Sequence, residues 1–170
     1  MCLKNFIWIL AVSLLLFYSA GYNITPDPSP RQISGQVTYV IDGDTFQLSS
    51  QLGNIRIRIA EIDAPELHQP FGQKAKSYLK GLIDSETIIC SIIEKDRYGR
   101  YIAKINVPGT RNLDVASEMI RAGYAWHYKK YSTNQDLANI EVLAKSKQQG
   151  LWSDPDAVAP WLYRQQQNIK

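Results

Sequence analysis

Alternation of apolar and polar side chains predicts β-strands in the chain beyond residue 35. Apolar residues recur at every second position in residues 36–41 and 55–59, and Asp42-Gly43 is typical of the tight turn after the first strand. The alternation slips at Glu61-Ile62, which indicates a bulge or bend. The pattern predicts five strands, at residues 35–41, 45–48, 55–63, 87–94 and 101–107, with residues 87–94 buried on both faces.

Apolar residues spaced three and four apart predict three helices. The first begins at Pro70, the second runs from an Asn112 cap to Ala122, and the third is capped by Thr133 or Asn134 and closed by Gly150. Helices separate strands only once before the C-terminal pair, which is typical of an α+β fold. A small, closed, antiparallel barrel fits this order best.

Composition leaves the function open. The chain has 170 residues, of which 45% are apolar and 21% charged, and its formal net charge is +3. These values are typical of a single globular domain. The mild positive charge permits a polyanionic partner without requiring one, so a nucleic-acid function has to rest on particular residues.

The N-terminus has the features of a targeting segment. Lys4 precedes an apolar run at residues 6–18, and Ser19-Ala20-Gly21 supplies the small residues of a cleavage site. The run is short for a membrane span, so residues 1–21 are predicted to be an export signal, with a retained N-terminal anchor as the alternative. We therefore expect a secreted or periplasmic protein, membrane-anchored only if the leader is retained. The remaining chain divides into a Pro-rich linker (22–34), a domain (35–153) and a polar tail (154–170) that Trp161 anchors.

Cysteine and histidine are too scarce to build a structural zinc site. Only Cys90 would remain after removal of the leader, so no internal disulfide is expected. Because Cys90 lies in the apolar run 88–93, we predict that it is a small buried hydrophobe.

Three short segments carry groups suited to phosphodiester chemistry: Asp42-Gly43-Asp44, Arg58 with Asp63-Ala64-Pro65-Glu66, and Asp96-Arg97-Tyr98-Gly99-Arg100. Adjacent strand ends would bring Asp44 and Asp63 together, and two carboxylates that close need a cation between them. Calcium suits such an all-oxygen site, to which the Ala64 carbonyl could contribute.

The other residues of these segments have candidate roles in catalysis. Glu66, stiffened by Pro65, would act as general base or orient the attacking water. Arg58 and Arg100 would hold the phosphate. Taken singly, each has an ordinary alternative: Asp-Gly is a common hairpin turn, Glu66 would be a solvated loop residue and Arg100 a surface charge beside a hairpin.

Aromatic and cationic residues supply candidate contacts to bases. Tyr98, Tyr128 and Tyr131 lie close in sequence to Arg97 and to the lysines at 129 and 130. Bases stack on such rings while cations follow the backbone. The alternative is that several of these aromatics belong to the core or to an ordinary surface.

Taken together, the three segments resemble the staphylococcal nuclease (thermonuclease) family, over residues 35–152 and into Pro160-Trp161. The resemblance implies a five-stranded OB-fold barrel and calcium-dependent hydrolysis of DNA and RNA that leaves 3′-phosphate ends. It also implies that Asp44 and Asp63 are the calcium carboxylates and Ala64 a carbonyl ligand, with Glu66 as general base. By the same matching, Arg58 and Arg100 are the phosphate arginines.

The sequence departs from the family pattern at Ala64 and in the surroundings of the other site residues. Ala64 stands where a threonine is often found, and Arg97 replaces a lysine. The loop at residues 67–72 is short, with few cations, and Tyr128 and Tyr131 are the candidate counterparts of the base-packing tyrosines.

The sequence therefore predicts a monomeric, calcium-dependent, sequence-nonspecific nuclease acting on DNA and RNA. One rival hypothesis is a catalytically inactive OB-fold module that binds single-stranded nucleic acid through its aromatic and basic residues. Another is a phosphodiesterase with a substrate other than nucleic acid.

Overall fold

The computed structural model describes residues 31–109 and 112–168. The predicted leader (residues 1–21) and residues 22–30 of the predicted linker lie outside the described residues. The first strand begins at Gln32, so residues 32–34 belong to the sheet. Ile33 is buried and pairs with Cys90 of a neighbouring strand.

Five strands close into a barrel, which confirms the predicted α+β class and OB-fold-like architecture. They are β1 (Gln32–Val40), β2 (Thr45–Ser50), β3 (Gly53–Ile59), β5 (Thr87–Lys95) and β6 (Tyr101–Val107). Antiparallel pairing runs in the order β3-β2-β1-β5-β6, and β3 closes the barrel against β6. The closing pair is parallel, which departs from the expected all-antiparallel barrel. The register shifts in β1 and β5 are the irregularities that let strands bend around so small a barrel.

Short strands flank the barrel and redirect the chain. β4 (Ile62–Asp63) pairs with β8 (Trp126–His127), and β7 (Leu113–Asp114) pairs with the end of β6. The third predicted strand is broken at Glu61, whose φ of 68° is left-handed, as the slip in alternation predicted. Asp63 therefore leaves the barrel on β4 instead of continuing β3.

The three predicted helices are present, and a fourth follows them: α1 (Gly72–Ile83), α2 (Val115–Arg121), α3 (Gln135–Ser146) and α4 (Pro160–Asn168). Asn134 caps α3 as predicted, but Asp114 caps α2 in place of Asn112 by accepting a hydrogen bond from the Ser117 amide. Gly150 opens a 3-10 turn (Gly150–Ser153) and does not close α3. Across residues 31–109 and 112–168, no helix has the length and apolar character needed to cross a membrane.

The core fills the barrel and the space under α1 and α2. Strand residues such as Phe46, Leu48 and Ile57 meet Leu79 of α1 and Met119 of α2, all at 0% exposure. β5 does not have the two buried faces that its apolar run predicted. Only its alternate residues, Ile88 and Cys90, are fully buried, while Ile93 is 55% exposed.

Cys90 should be chemically inert in the folded protein. Its side chain is fully buried, as predicted, and burial raises its pKa to about 12. With Cys2 replaced by serine, we expect a disulfide reagent to modify Cys90 about 10³-fold more slowly at pH 8 than in the urea-unfolded chain, because only the thiolate reacts. Absorbance of the released thiolate measures both rates, and fast modification without urea would contradict the prediction.

Candidate active site

Arg58 brings the two predicted metal carboxylates together. Its Nη1 lies 2.9 Å from Asp44 Oδ2, and its Nη2 lies 2.9 Å from Asp63 Oδ1. The cause is strand register: Thr45, at the start of β2, pairs with Arg58 near the end of β3. All three side chains are largely withdrawn from solvent, and Asp63 is only 1% exposed. The sequence argument placed Asp63 at the end of the third strand, but Asp63 lies on β4, beyond the break at Glu61, and Arg58 links it to Asp44.

The turn that carries Asp44 is packed tightly against Ala64. The backbone amides of Ile41 and Asp42 donate to the Thr45 carbonyl, and a Cβ at residue 43 would lie 2.6 Å from the Ala64 Cβ. Glycine is therefore required at residue 43 by close packing. The Ala64 amide donates to Asp44 Oδ2 at 2.9 Å, which locks the turn to the end of β4.

The acidic groups of this cluster repel one another. Burial and the negative charge of Asp44 raise the pKa of Asp42 to about 6. Burial raises the pKa of Asp63, although its arginine partners oppose the shift. The site therefore favours added positive charge.

The donor set fits calcium. The carboxylates of Asp44 and Asp63 and the carbonyl of Ala64 are hard oxygen donors, which Ca²⁺ prefers. Among the described residues, no group of three or more acidic, histidine or cysteine side chains forms a metal-ligand cluster. The remaining ligands would have to be water or substrate, which suits a catalytic ion. Metal binding would also require some of the arginine contacts to be exchanged.

Glu66 lies on a backbone that is fixed from both sides. Its amide donates to Gln69 Oε1 at 3.2 Å, and its carbonyl accepts from the Gln69 amide at 2.8 Å. Gly72 approaches the same carbonyl so closely that a side chain at residue 72 would collide with it. The Glu66 side chain itself remains 40% exposed and so can reach water.

Arg164 of α4 enters the site, which sequence reasoning missed. Its Nη2 donates to Asp63 Oδ2 at 2.8 Å, and its Nη1 donates to Glu66 Oε1 at 2.7 Å and to Asp63 Oδ1 at 3.3 Å. Partial burial alone would lower the pKa of Arg164, but the hydrogen bonds to both carboxylates outweigh it and raise the pKa. The available signal was the helical spacing of Trp161 and Arg164, which puts the anchor and the arginine on one face of a helix.

Arg100 is not among the residues that contact the carboxylates of Asp44 and Asp63. Its Nε lies 2.8 Å from Asp96 Oδ2, and its amide donates to Asp96 Oδ1 at 2.9 Å. It immediately precedes β6, the strand that lies beside β3 and Arg58. Asp96 engages the Arg100 Nε, and among the described residues no hydrogen bond occupies the two Nη groups, which could therefore donate to a phosphate.

Tyr98 and Arg97 form an exposed pair at the tip of the same hairpin. Tyr98 is 60% exposed, and its hydroxyl accepts a hydrogen bond from Arg97 Nη2 at 2.8 Å. The guanidinium carbons of Arg97 and Arg100 lie 4.9 and 5.7 Å from the centroid of the Tyr98 ring. An open aromatic face with two adjacent cations is a suitable surface for a nucleotide.

The two other predicted tyrosines contact each other but differ in exposure. Tyr128 follows β8, and its ring stacks on Trp161 of α4 with centroids 5.3 Å apart and an interplanar angle of 2°. Tyr131 meets Tyr128 edge-on at 4.8 Å and is 67% exposed. α4 therefore covers Tyr128 on one face, whereas most of Tyr131 is open to solvent.

Comparisons with known proteins agree with this geometry. Residues 56–154 match the family described as staphylococcal nuclease homologue. A protein of Escherichia coli O157:H7 named uncharacterized endonuclease is 37% identical over 132 residues, which cover 78% of this chain and 85% of that protein. The micrococcal nuclease of Shigella flexneri is 35% identical over 145 residues, covering 81% and 83%. An uncharacterized endonuclease of Haemophilus influenzae is 34% identical over 162 residues, covering 95% and 87%. The resemblance inferred from the motifs is confirmed, and the chain belongs to the staphylococcal nuclease family.

Proposed function

We propose that the protein is a calcium-dependent, sequence-nonspecific nuclease that hydrolyses DNA and RNA and leaves 3′-phosphate ends. Its family and the names of its relatives support phosphodiester hydrolysis. The observation that carries the proposal is the Arg58 guanidinium, which bridges Asp44 and Asp63, while Arg164 links Asp63 to Glu66. The calcium dependence and the substrate range rest on the donor set and on the resemblance.

The proposed chemistry divides roles among the chain's own residues. Asp44, Asp63 and the Ala64 carbonyl hold calcium, which when bound would neutralise charge on the phosphoryl group. The Glu66 carboxylate accepts a proton from the attacking water, and the new bond forms between the water oxygen and phosphorus. The bond from phosphorus to the 5′ oxygen breaks and the phosphate stays on the 3′ side. The 5′ oxygen takes a proton from solvent water and leaves as a hydroxyl, and Glu66 returns the proton that it accepted to solvent.

Arginines stabilise the charge that builds up during this displacement. Arg58 is held between two carboxylates, and its two Nη groups would exchange those contacts for phosphoryl oxygens when calcium and substrate bind. Arg100 would donate to the phosphoryl oxygens through its Nη groups while its Nε stays paired with Asp96. Bidentate arginine contacts match the geometry of phosphate oxygens, and they are strongest where charge develops.

Bases would be held by stacking, which every base supports. Tyr98 with Arg97, and Tyr131 with the neighbouring Lys130, present exposed rings beside cations. The Tyr128 ring would take part only through the face that Trp161 leaves open. Such contacts carry no base-edge readout and so favour a nonspecific enzyme. We further propose that the protein is exported through its leader and acts as a monomer.

Cleavage assays with metal controls test this function. We expect single- and double-stranded DNA and RNA to be degraded with calcium but not with a chelator, and magnesium to support much less cleavage. Nucleic acid that is retarded in a gel but stays intact under every condition would favour an inactive binding module. Faster hydrolysis of a small phosphodiester than of DNA would favour a different substrate.

Replacing Arg100 by alanine should lower turnover by about 10²-fold, because one donor to the developing phosphoryl charge is lost. Initial rates at saturating DNA measure the effect. Arg121→Ala is the matched control, since Arg121 is exposed on α2 and pairs only with Glu118 among the described residues. Equal rates for the folded Arg100 variant and this control would contradict the role.

A further inference from the structure

Arg164 joins two residues that the proposed reaction uses for different purposes. One edge of its guanidinium contacts both oxygens of Asp63, a proposed metal ligand, and the same group contacts Glu66, the proposed base. Within the described part of the chain, Arg164 is the one hydrogen-bond donor to the Glu66 carboxylate. A planar guanidinium that contacts two carboxylates fixes their separation and their relative orientation.

The helix that carries Arg164 is firmly attached to the active-site side of the domain. Trp161 stacks on Tyr128 and meets Trp126 edge-on at 5.6 Å, and Trp126 lies opposite Asp63 in the β4–β8 pair. Ala159 and Pro160, at the start of α4, are buried. The position of Arg164 is therefore set by packing and does not depend on its ion pairs alone.

A second attachment links α4 to the loop of the proposed base. Gln69 accepts a hydrogen bond from the Glu66 amide, and its Nε2 donates to the Val158 carbonyl at 2.6 Å. The Tyr163 hydroxyl donates to the His68 carbonyl at 3.4 Å. The same hydrogen bonds therefore connect the loop that carries Glu66 with the segment that leads into α4 and Arg164.

We propose that Arg164 is a positioning residue that holds the Glu66 carboxylate toward Asp63. This inference rests on the proposed nuclease function. Without Arg164, a 40% exposed glutamate on a loop is free to adopt several rotamers, so its carboxylate is no longer held in one position relative to Asp63. Holding a base in its productive rotamer contributes to turnover and has little effect on substrate affinity.

Kinetics in two backgrounds separate this role from direct contact with the substrate. We expect Arg164→Gln to lower kcat by roughly 10-fold to 10²-fold and to change KM for DNA by less than about threefold. In a Glu66→Gln background the same substitution should cause no further loss, because the group that it positions is already inactive. Gln165→Ala, an exposed substitution on the same helix, is the control and should leave kcat unchanged.

Multiplying losses in the double variant would overturn the proposal, because they would mean that Arg164 acts on the phosphate independently of Glu66. An Arg164→Gln enzyme that is equally active or faster would also overturn it. In that case the role of Arg164 would be limited to pairing with Asp63 and Glu66 in the metal-free protein.

Unfolding without metal tests the same contact independently of cleavage. Urea titrations of the wild type, the two single variants and the double variant give the coupling between Arg164 and Glu66. We expect the folding equilibrium constant of the double variant to differ by about three- to fivefold from the product of the two single effects, as for a partly exposed ion pair. If the two single effects simply multiply in the double variant, Arg164 and Glu66 do not interact and the proposal is wrong. A wild-type protein that cleaves nothing would instead overturn the proposed function, and the unfolding cycle would still report on Arg164.

Discussion

Replacing Glu66 by glutamine should lower turnover by about 10³-fold, which is within the range measured for loss of a positioned general base. The glutamine side chain keeps the size of the glutamate and can still accept a hydrogen bond from Arg164, but it cannot take a proton from water. KM for DNA should change little, because the substrate phosphate is held by arginines. Initial rates over a range of DNA concentrations, with calcium in excess, separate the two parameters.

The matched control is Glu86→Gln, which makes the same change at an exposed residue between α1 and β5. This variant should cleave DNA at the wild-type rate. Circular dichroism and a urea titration establish that both variants are folded. A folded Glu66→Gln enzyme with wild-type kcat would eliminate Glu66 as the base and would also remove the reason for positioning it by Arg164.

The barrel was predictable because each of its strands has a local signature. Period-two alternation identified β1 and β3, and the Asp42-Gly43 turn fixed where β2 begins. The register of β2 and β3 places Arg58 beside Asp44, whereas Asp63 reaches the pair only through the break at Glu61 and the separate strand β4. The parallel contact between β3 and β6 was not predictable in the same way, because it joins strands separated by α1 and β5. Pairing at such sequence distance depends on closure of the whole barrel and leaves no local pattern.

The contribution of α4 could not be predicted for a related reason. The tail after Asp154 is polar, so its helix has no broad apolar face to reveal it, and its attachment depends on a few residues around Trp161. Arg164 reaches carboxylates about a hundred residues earlier in the chain. A single arginine in a polar segment is normally a solvated charge, and only the folded structure shows that it faces Asp63 and Glu66. The same docking explains why Tyr128, predicted to contact a base, has one face covered.

Burial of β5 shows where local pattern misleads. A mostly apolar segment such as residues 87–94 is typical of a strand covered on both faces. In this barrel one face of β5 contributes Ile88 and Cys90 to the core, and the other includes the half-buried Ile89 and the exposed Ile93. Apolar character was therefore a correct guide to strand formation and an incorrect guide to the number of buried faces.

Substituting lysine for Arg58 should impair both catalysis and metal-free stability, although the charge is kept. The two Nη atoms of Arg58 each contact a different carboxylate at 2.9 Å, and one ammonium group cannot reproduce that planar fork. We expect kcat to fall by about 10³-fold, because the bidentate grip on the phosphoryl group is lost where charge develops. The free energy of unfolding without metal should fall by about 1–3 kcal/mol, because a buried carboxylate is left with an unmatched partner.

The neighbouring Arg56→Lys is the control for Arg58→Lys. Arg56 lies on the same strand but is exposed, and its Nη2 donates to the Tyr98 carbonyl at 3.1 Å. Its substitution should change kcat by less than about threefold, since exposed polar contacts contribute little. If both variants cleave DNA at similar rates, the planar guanidinium of Arg58 between the two carboxylates is not required for catalysis. If only Arg58→Lys loses activity while remaining folded, the geometry of the fork, and not positive charge alone, is what the reaction requires.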